Sequence, residues 1–290
     1  MERIERYFDT AIESPDGIKK LRGLILTLAM QGKLVPQDPK DQPASELLKE
    51  IAAEKKRLED EGKIKKQKEL PPIKPEEVPY ALPVGWEWVR LDSICSTITQ
   101  GPNPKYSGKS DKAYRVLKTK DFYDDRILYN QFELISYDIF QEYKRYQLKT
   151  NDLIFGLVGK GSTAKCNIFL EQKDFNCIFT RATGLIRLID TFKTLPAYVH
   201  LFFLSGHGKN RTEIITDGST GQLVIRTSEL KMIEFPLPPL PEQQRIVEKI
   251  DHLMALCDSL EEQIAMATHT RTAIFDAVLA KVQGGGRELN

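Results

Sequence analysis

The stretch best suited to chemistry with a polyanion is QGPNPKYSGKSDKAYRVLKTK, residues 100–120. Lys105, Lys109, Lys112, Arg115, Lys118 and Lys120 stand there against Asp111 alone, a net +5, with Tyr106 and Tyr114 interleaved. Ammonium and guanidinium groups neutralise phosphates, and a glycine-rich loop lets backbone approach them. GLVGKGST, residues 156–163, offers a second phosphate-facing set in Lys160, Ser162 and Thr163, with Lys165 just beyond. It is not a nucleotide-binding P-loop, because Ser162 follows Gly161 directly where that loop places lysine. A polar GSTGQ turn adds Ser219, Thr220 and Gln222. Arginine and lysine read guanine edges, and asparagine and glutamine read adenine. The candidate contacts to a nucleic acid are Gln100, Lys105, Tyr106, Lys109, Arg115, Lys118, Lys120, Ser219, Thr220 and Gln222, with Lys160, Ser162 and Lys165 on phosphates.

Groups able to make or break bonds are not assembled. PNPKY, residues 102–106, departs from the Asn-Pro-Pro-aromatic signature of adenine methyltransferases, since Lys105 replaces the second proline and no glycine-rich cofactor loop precedes it. A nuclease needs clustered carboxylates and a lysine to hold metal and water. Pro15-Asp16 and Glu54-Lys55-Lys56 lie too far apart, in helical segments, to supply them. His200, His207, His252 and His269 lack metal-ligand spacing, and no serine or cysteine has a neighbouring base. No catalytic residue, metal site or cofactor site of the chain's own is expected.

The 290 residues carry 42 Lys+Arg and 41 Asp+Glu, a net +1 that excludes a protein basic throughout but not a basic patch. Residues 1–85 are net 0, residues 86–235 net +4 and residues 236–290 net −3, so the middle segment is the one suited to a polyanion. The absence of an apolar run of 18 residues argues against a membrane span. The charged start MERIERYFDT lacks the features of a signal peptide. Cys95, Cys166, Cys177 and Cys257 lie far apart and read as free thiols of a cytoplasmic protein.

These side chains need a scaffold, and periodicity supplies one. Ile18, Leu21, Ile25 and Leu28 recur at helical spacing, with Asp16 as a cap and Gly32 as a stop. A second helix is expected from about Ser45 to Gly62, with Leu47, Leu48, Ile51 and Leu58 as its stripe. Prolines crowd residues 71–83, predicting an extended linker. Between 86 and 235, short runs (AYRVLKT, NDLIFGLVG, CNIFL, NCIFT, GLIRLI, GQLVIRT) predict a mainly antiparallel or irregular sheet, interrupted by a helix in LPAYVHLFFLSG. After PLPPLPEQQ, apolar residues step by four and three through Ile246, Ile250, Leu253, Cys257, Leu260, Ile264, Ala267, Ile274 and Val278, with Arg271 interrupting the pattern. That is a coiled-coil seam about 48 Å long at ~1.5 Å per residue, followed by a disordered QGGGREL tail.

The expected fold class is α+β. A mixed α/β globular domain at 86–235 is flanked by an N-terminal helical region and linker at 1–85 and a long coiled-coil helix at 236–290. Three segments carry a family likeness. PLPPLPEQQRIVEKIDHLMALCDSLEEQI (236–264), LRGLILTLAMQGKLVPQDPKDQPASELL (21–48) and LPVGWEWVRL (82–91) resemble the specificity subunits of type I restriction–modification systems. The family's target-recognition domains open on a Pro-x-Gly-Trp-x-Trp-like segment, as at Pro83 to Trp88, and close on a turn, a strand and a proline-rich helix start, as in GSTGQLVIRTSELKMIEFPLPPLPEQQ. The resemblance implies a non-catalytic reader of double-stranded DNA. Such a reader scaffolds methyltransferase subunits, which use S-adenosylmethionine, and restriction subunits, which use ATP.

One departure from the family is plain: a typical member has two recognition domains, and this sequence has one. It resembles a half-length specificity subunit, expected to pair as a homodimer through the seam and to read an interrupted palindrome. The competing readings are a stand-alone nuclease or methyltransferase and a coiled-coil interaction module that binds no DNA.

Overall fold

The computed structural model describes residues 16–105, 113–121, 123, 126–159, 161–170, 175–189, 195–218 and 223–284. In chain order the helices are α1 (Gly17–Met30), α2 (Ala44–Asp60), α3 (Tyr137–Glu142), α4 (Leu195–Leu204), α5 (Gly206–Ile214), α6 (Thr227–Met232) and α7 (Leu240–Gly284). The strands are β1 (Glu87–Arg90), β2 (Cys95–Gln100), β3 (Tyr114–Leu117), β4 (Glu133–Leu134), β5 (Leu153–Gly156), β6 (Cys166–Ile168), β7 (Asn176–Phe179), β8 (Thr183–Leu188) and β9 (Glu234–Leu237). The chain divides into two compact units, one of residues 26–247 and one of residues 1–25 with 248–290. These bounds differ from the divisions near 85 and 235 expected from composition.

In the larger unit, four strands form a sheet in the order β2-β8-β5-β6, antiparallel throughout. A second sheet runs β4-β3-β7, with β3 and β7 parallel. Strand side chains alternate between faces. Leu117, Cys177 and Phe179 therefore share one face with Ile154 and Leu185 of the first sheet. Val116 and Ile178 share the other with Ile139 and Phe140 of α3. The Ser136 hydroxyl caps that helix by accepting the Ile139 N–H (3.3 Å).

A third, two-stranded ribbon pairs β1 with β9, from Glu87 opposite Leu237 to Arg90 opposite Glu234. It joins the start of the recognition segment to its end. At its edge lies a buried ionic cluster. Arg90, 5% exposed, bonds Glu234 (2.9 Å) and Glu77 (2.8 Å), and Arg211 bonds Glu234 (2.5 Å). Arg90 lowers the Glu77 carboxyl to about 2, aided by the Lys74 N–H. The proline-rich segment expected as a linker is instead fastened down. Arg90 donates to the Pro71 and Pro72 carbonyls (3.3 Å each), and Gln67 donates to the Ser96 carbonyl (3.1 Å). Proline lacks an N–H, but its carbonyl still accepts.

Residues 26–48 and 236–247 of the motifs quoted at 21–48 and 236–264 meet the motif at 82–91 in this unit. Gly32 has φ +64°, and a Cβ there would lie 2.4 Å from Pro83 and 3.1 Å from the Trp86 ring, so glycine is required. The Trp86 indole N–H donates to Glu242 (2.9 Å) at the start of α7 and stacks edge-on with Tyr198 of α4. Burial pushes the Glu242 carboxyl up. Gln243 donates to the Pro238 carbonyl (3.0 Å), and Arg245 pairs with Asp41 (2.6 Å).

Two sequence expectations change here. Residues 223–226, the described part of GQLVIRT before α6, form no strand: Val224 makes isolated bridges to Asp217 and Val158, and α6 begins at Thr227. The helix in LPAYVHLFFLSG is α4, but a further helix, α5, follows it at once. Ser205 caps α5 through the Gly208 N–H (3.1 Å).

In the smaller unit, Arg22 of α1 bonds Asp258 (2.6 Å) and Glu261 (2.9 Å) of α7. Leu21, Ile25, Leu253, Leu256, Cys257 and Leu260 line an apolar cavity of about 270 Å³ between these helices. The heptad seam divides in two. Ile246, Ile250 and Cys257 are buried within the chain, and Leu253, Leu260 and Ile264 are half-buried. Ile274 and Val278 are 60% and 54% exposed, beside Phe275 and Leu279. The helix includes Gln283 and Gly284, and the rest of the expected tail lies outside the described residues. Among the described residues, no helix is long and apolar enough to cross a membrane. The four cysteines are buried and unpaired.

Candidate nucleic-acid interface

A cleft of about 630 Å³ opens where β2 ends, beside the turn between β7 and β8. Gln100 and Asn103 come from the end of β2, and Thr180, Arg181 and Ala182 from the turn. Leu157 and Val158 follow β5, and Val224, Ile225, Arg226 and Thr227 lead into α6. The two far walls are stitched together, because the Ile225 N–H donates to the Leu157 carbonyl (2.8 Å) and Val158 bridges Val224. No carboxylate is among the described residues lining the cleft. Cationic and amide groups on a carboxylate-poor concave surface suit an anionic ligand with hydrogen-bonding edges.

The turn is tied from several sides. The Thr180 carbonyl accepts from the Thr183 N–H (2.9 Å) and hydroxyl (2.7 Å). The Arg181 carbonyl accepts from the Gln100 amide (2.7 Å). The Ala182 carbonyl accepts from the Leu157 (3.0 Å) and Val158 (3.2 Å) N–H groups, and the Thr183 carbonyl from Gly101 (3.1 Å). Thr180 donates its own N–H to Leu117 at the end of β3 (3.2 Å). A Cβ on Gly101 would sit 2.4 Å from the Thr180 carbonyl, so only glycine allows this approach.

Of the residues singled out by sequence, Gln100 lines the cleft. Lys105 lies beyond it, exposed. Arg115 stands over the Phe175 ring, 4.3 Å from its centroid. Lys118 pairs with Glu133, while its N–H donates to the Asp121 carboxyl (2.8 Å). Burial pushes that carboxyl up. Lys120 is exposed in the short turn after β3. The Ser162 hydroxyl donates within its own loop, to the Val158 and Gly159 carbonyls (3.3 Å each), and the Lys165 carbonyl accepts from Gly156 (2.8 Å). Lys105, Arg115, Lys118, Lys120, Ser162 and Lys165 are not among the described residues lining the cleft. Tyr106, Lys109, Lys160, Ser219, Thr220 and Gln222 lie outside the described residues.

Sequence reasoning missed Asn103, Arg181 and Arg226. Arg226 pairs with Asp217 (3.1 Å) and Glu229 (3.4 Å) at the start of α6. Arg181 is a single basic residue between two apolar runs, and the position of a turn between strands was its one signal.

Residues 83–267 match the family model for the type I restriction modification DNA specificity domain. The chain is 36% identical over 282 residues to the EcoAI specificity subunit of Escherichia coli, covering 95% of this chain and 46% of that protein. It is likewise 36% identical to the EcoEI specificity subunit of the same organism, over 95% and 47%. The chain thus spans about half the length of these curated relatives. A structure described as the basis of complex assembly and conformational transition of the type I R-M system shares the fold. It aligns over 97% of this chain and 58% of its own, at a TM-score of 0.51 and 17% identity. The chain belongs to the family of type I restriction modification DNA specificity domains.

Proposed function

We propose that this chain is the sequence-reading component of a type I restriction–modification complex and that it recognises one half of a two-part duplex DNA site. The observation that carries this is the cleft at the end of β2, where Gln100, Asn103, Arg181 and Arg226 converge. Its relatives' names, as specificity subunits, point the same way. The chain contributes recognition, and the chemistry belongs to partners. Methyltransferase subunits methylate adenine with S-adenosylmethionine, and restriction subunits translocate and cleave with ATP and Mg²⁺.

The exposed end of the α7 seam, with Ile274, Phe275, Val278 and Leu279, is the surface through which a second copy pairs. Two copies related by a two-fold axis read the same half-site in opposite orientations, so the site is an interrupted palindrome. DNA binding is tested by titrating labelled duplex with the full chain at rising salt. The expected result is an affinity falling log-linearly with salt, as counterions are released. Absence of binding at low salt, or binding insensitive to salt, contradicts the proposal.

A further inference from the structure

We infer that Arg181 is the residue through which the cleft distinguishes one base pair from another, with Gln100 and Gly101 as positioning residues that act through the Thr180–Thr183 turn. The inference rests on the DNA-reading function proposed above and assigns its specificity within the cleft.

Three observations lead there. The first is tethering. All four carbonyls from Thr180 to Thr183 accept hydrogen bonds, from the end of β2, from the segment after β5 and from within the turn. The Arg181 backbone is therefore fixed before any ligand arrives, and its exposed side chain is presented into the cleft. A fixed backbone removes part of the ordering cost of binding.

The second is the state of the cations in and near the cleft, from whose lining the exposed Lys105 and Lys120 are absent among the described residues. Arg226 is held by Asp217 and Glu229, Lys118 by Glu133, and Arg115 lies on Phe175. Among the described residues, no carboxylate pairs with Arg181.

The third is the chemistry of the fork. A guanidinium has donors in a planar array and no acceptor. Its natural counterpart on a base edge is a pair of adjacent acceptors, O6 and N7 of guanine in the major groove. The Gln100 amide N–H is committed to the Arg181 carbonyl (2.7 Å), which makes Gln100 the support for this reader.

The test uses the full chain as wild type, Arg181→Lys, Arg181→Ala and Gln100→Ala, each checked by thermal melting. Selection from a randomised duplex library gives the preferred motif, and salt titration on a fixed random-sequence duplex gives the non-specific component. Wild type is expected to enrich a motif containing a guanine. Arg181→Lys keeps the charge but loses the fork, so discrimination at that one position falls about 10- to 100-fold. Its salt slope stays unchanged. Gln100→Ala weakens discrimination at the same position and adds nothing in an Arg181→Lys background. A motif unchanged in Arg181→Lys overturns the inference. So does Arg181→Ala lowering affinity for all duplexes equally, with the salt slope reduced by about one, because that marks a phosphate contact. A wild-type chain that enriches no motif overturns the proposed function itself, and the inference with it.

Discussion

The meeting point of Gly32, Pro83, Trp86 and Glu242 and the cleft around Arg181 belong to the same unit, and they are built on opposite principles. At the first, a large ring is buried to 5% exposure, its N–H is spent on a buried carboxylate, and a glycine is required by contacts of 2.4 and 3.1 Å. At the second, the backbone is held by hydrogen bonds to all four carbonyls from Thr180 to Thr183, but the Arg181 side chain is left exposed. The difference teaches that the tightest motifs of this chain hold the recognition segment on its helices. The proposed reading surface is carried on the turn between β7 and β8 and on the segments around it, apart from that hold.

Substitutions should separate the two regions. The largest expected effect is from Trp86→Ala, which opens a cavity and leaves buried Glu242 without its donor. It should destabilise the fold by about 3–5 kcal/mol. Arg181→Ala should change stability by no more than about 0.5 kcal/mol. Urea unfolding measures both, and comparable losses would break the comparison.

A smaller effect is set by pH. His207 stacks edge-on with Tyr80, Trp88 and Phe202, and burial, then the nearby Arg211 charge, lower it to about 4. The unfolded chain takes up this proton near pH 6.5. Between pH 6.5 and 4 the unfolded state binds more protons, so stability falls as pH falls through that window and this contribution flattens below it. His207→Phe keeps a ring there and should remove that part of the slope. An unchanged slope in melting curves would mean that another group sets it.

Much of the scaffold was legible in the sequence. The Ile18–Leu28 stripe lies on α1, and the three-four stepping after Pro241 lies on α7, since long helices declare themselves by period. Five of the short apolar runs contain strands, from AYRVLKT with β3 to GLIRLI with β8. Short elements fixed by their surroundings were not legible. GHGKNRTEI has no apolar stripe, and α5 forms there with Ser205 as its cap. Val224 and Ile225 are β-branched like strand residues, yet α6 begins at Thr227, where the Glu229 carboxylate accepts the Arg226 N–H (3.4 Å). The basic run at 100–120 drew attention to Lys118 and Arg115, whose charges are engaged inside the fold. The cleft draws on four segments distant in sequence, three of which give two polar side chains each and the fourth only Leu157 and Val158, so no local window contains its pattern.

The central claim, that this chain sets which DNA sequence its complex acts on, is tested most directly by methylome sequencing. Cells carrying the chain with its methyltransferase partner would be compared with the same cells lacking the chain. The account predicts adenine methylation at one interrupted palindromic motif, present only with the chain. Methylation that is independent of the chain would contradict it.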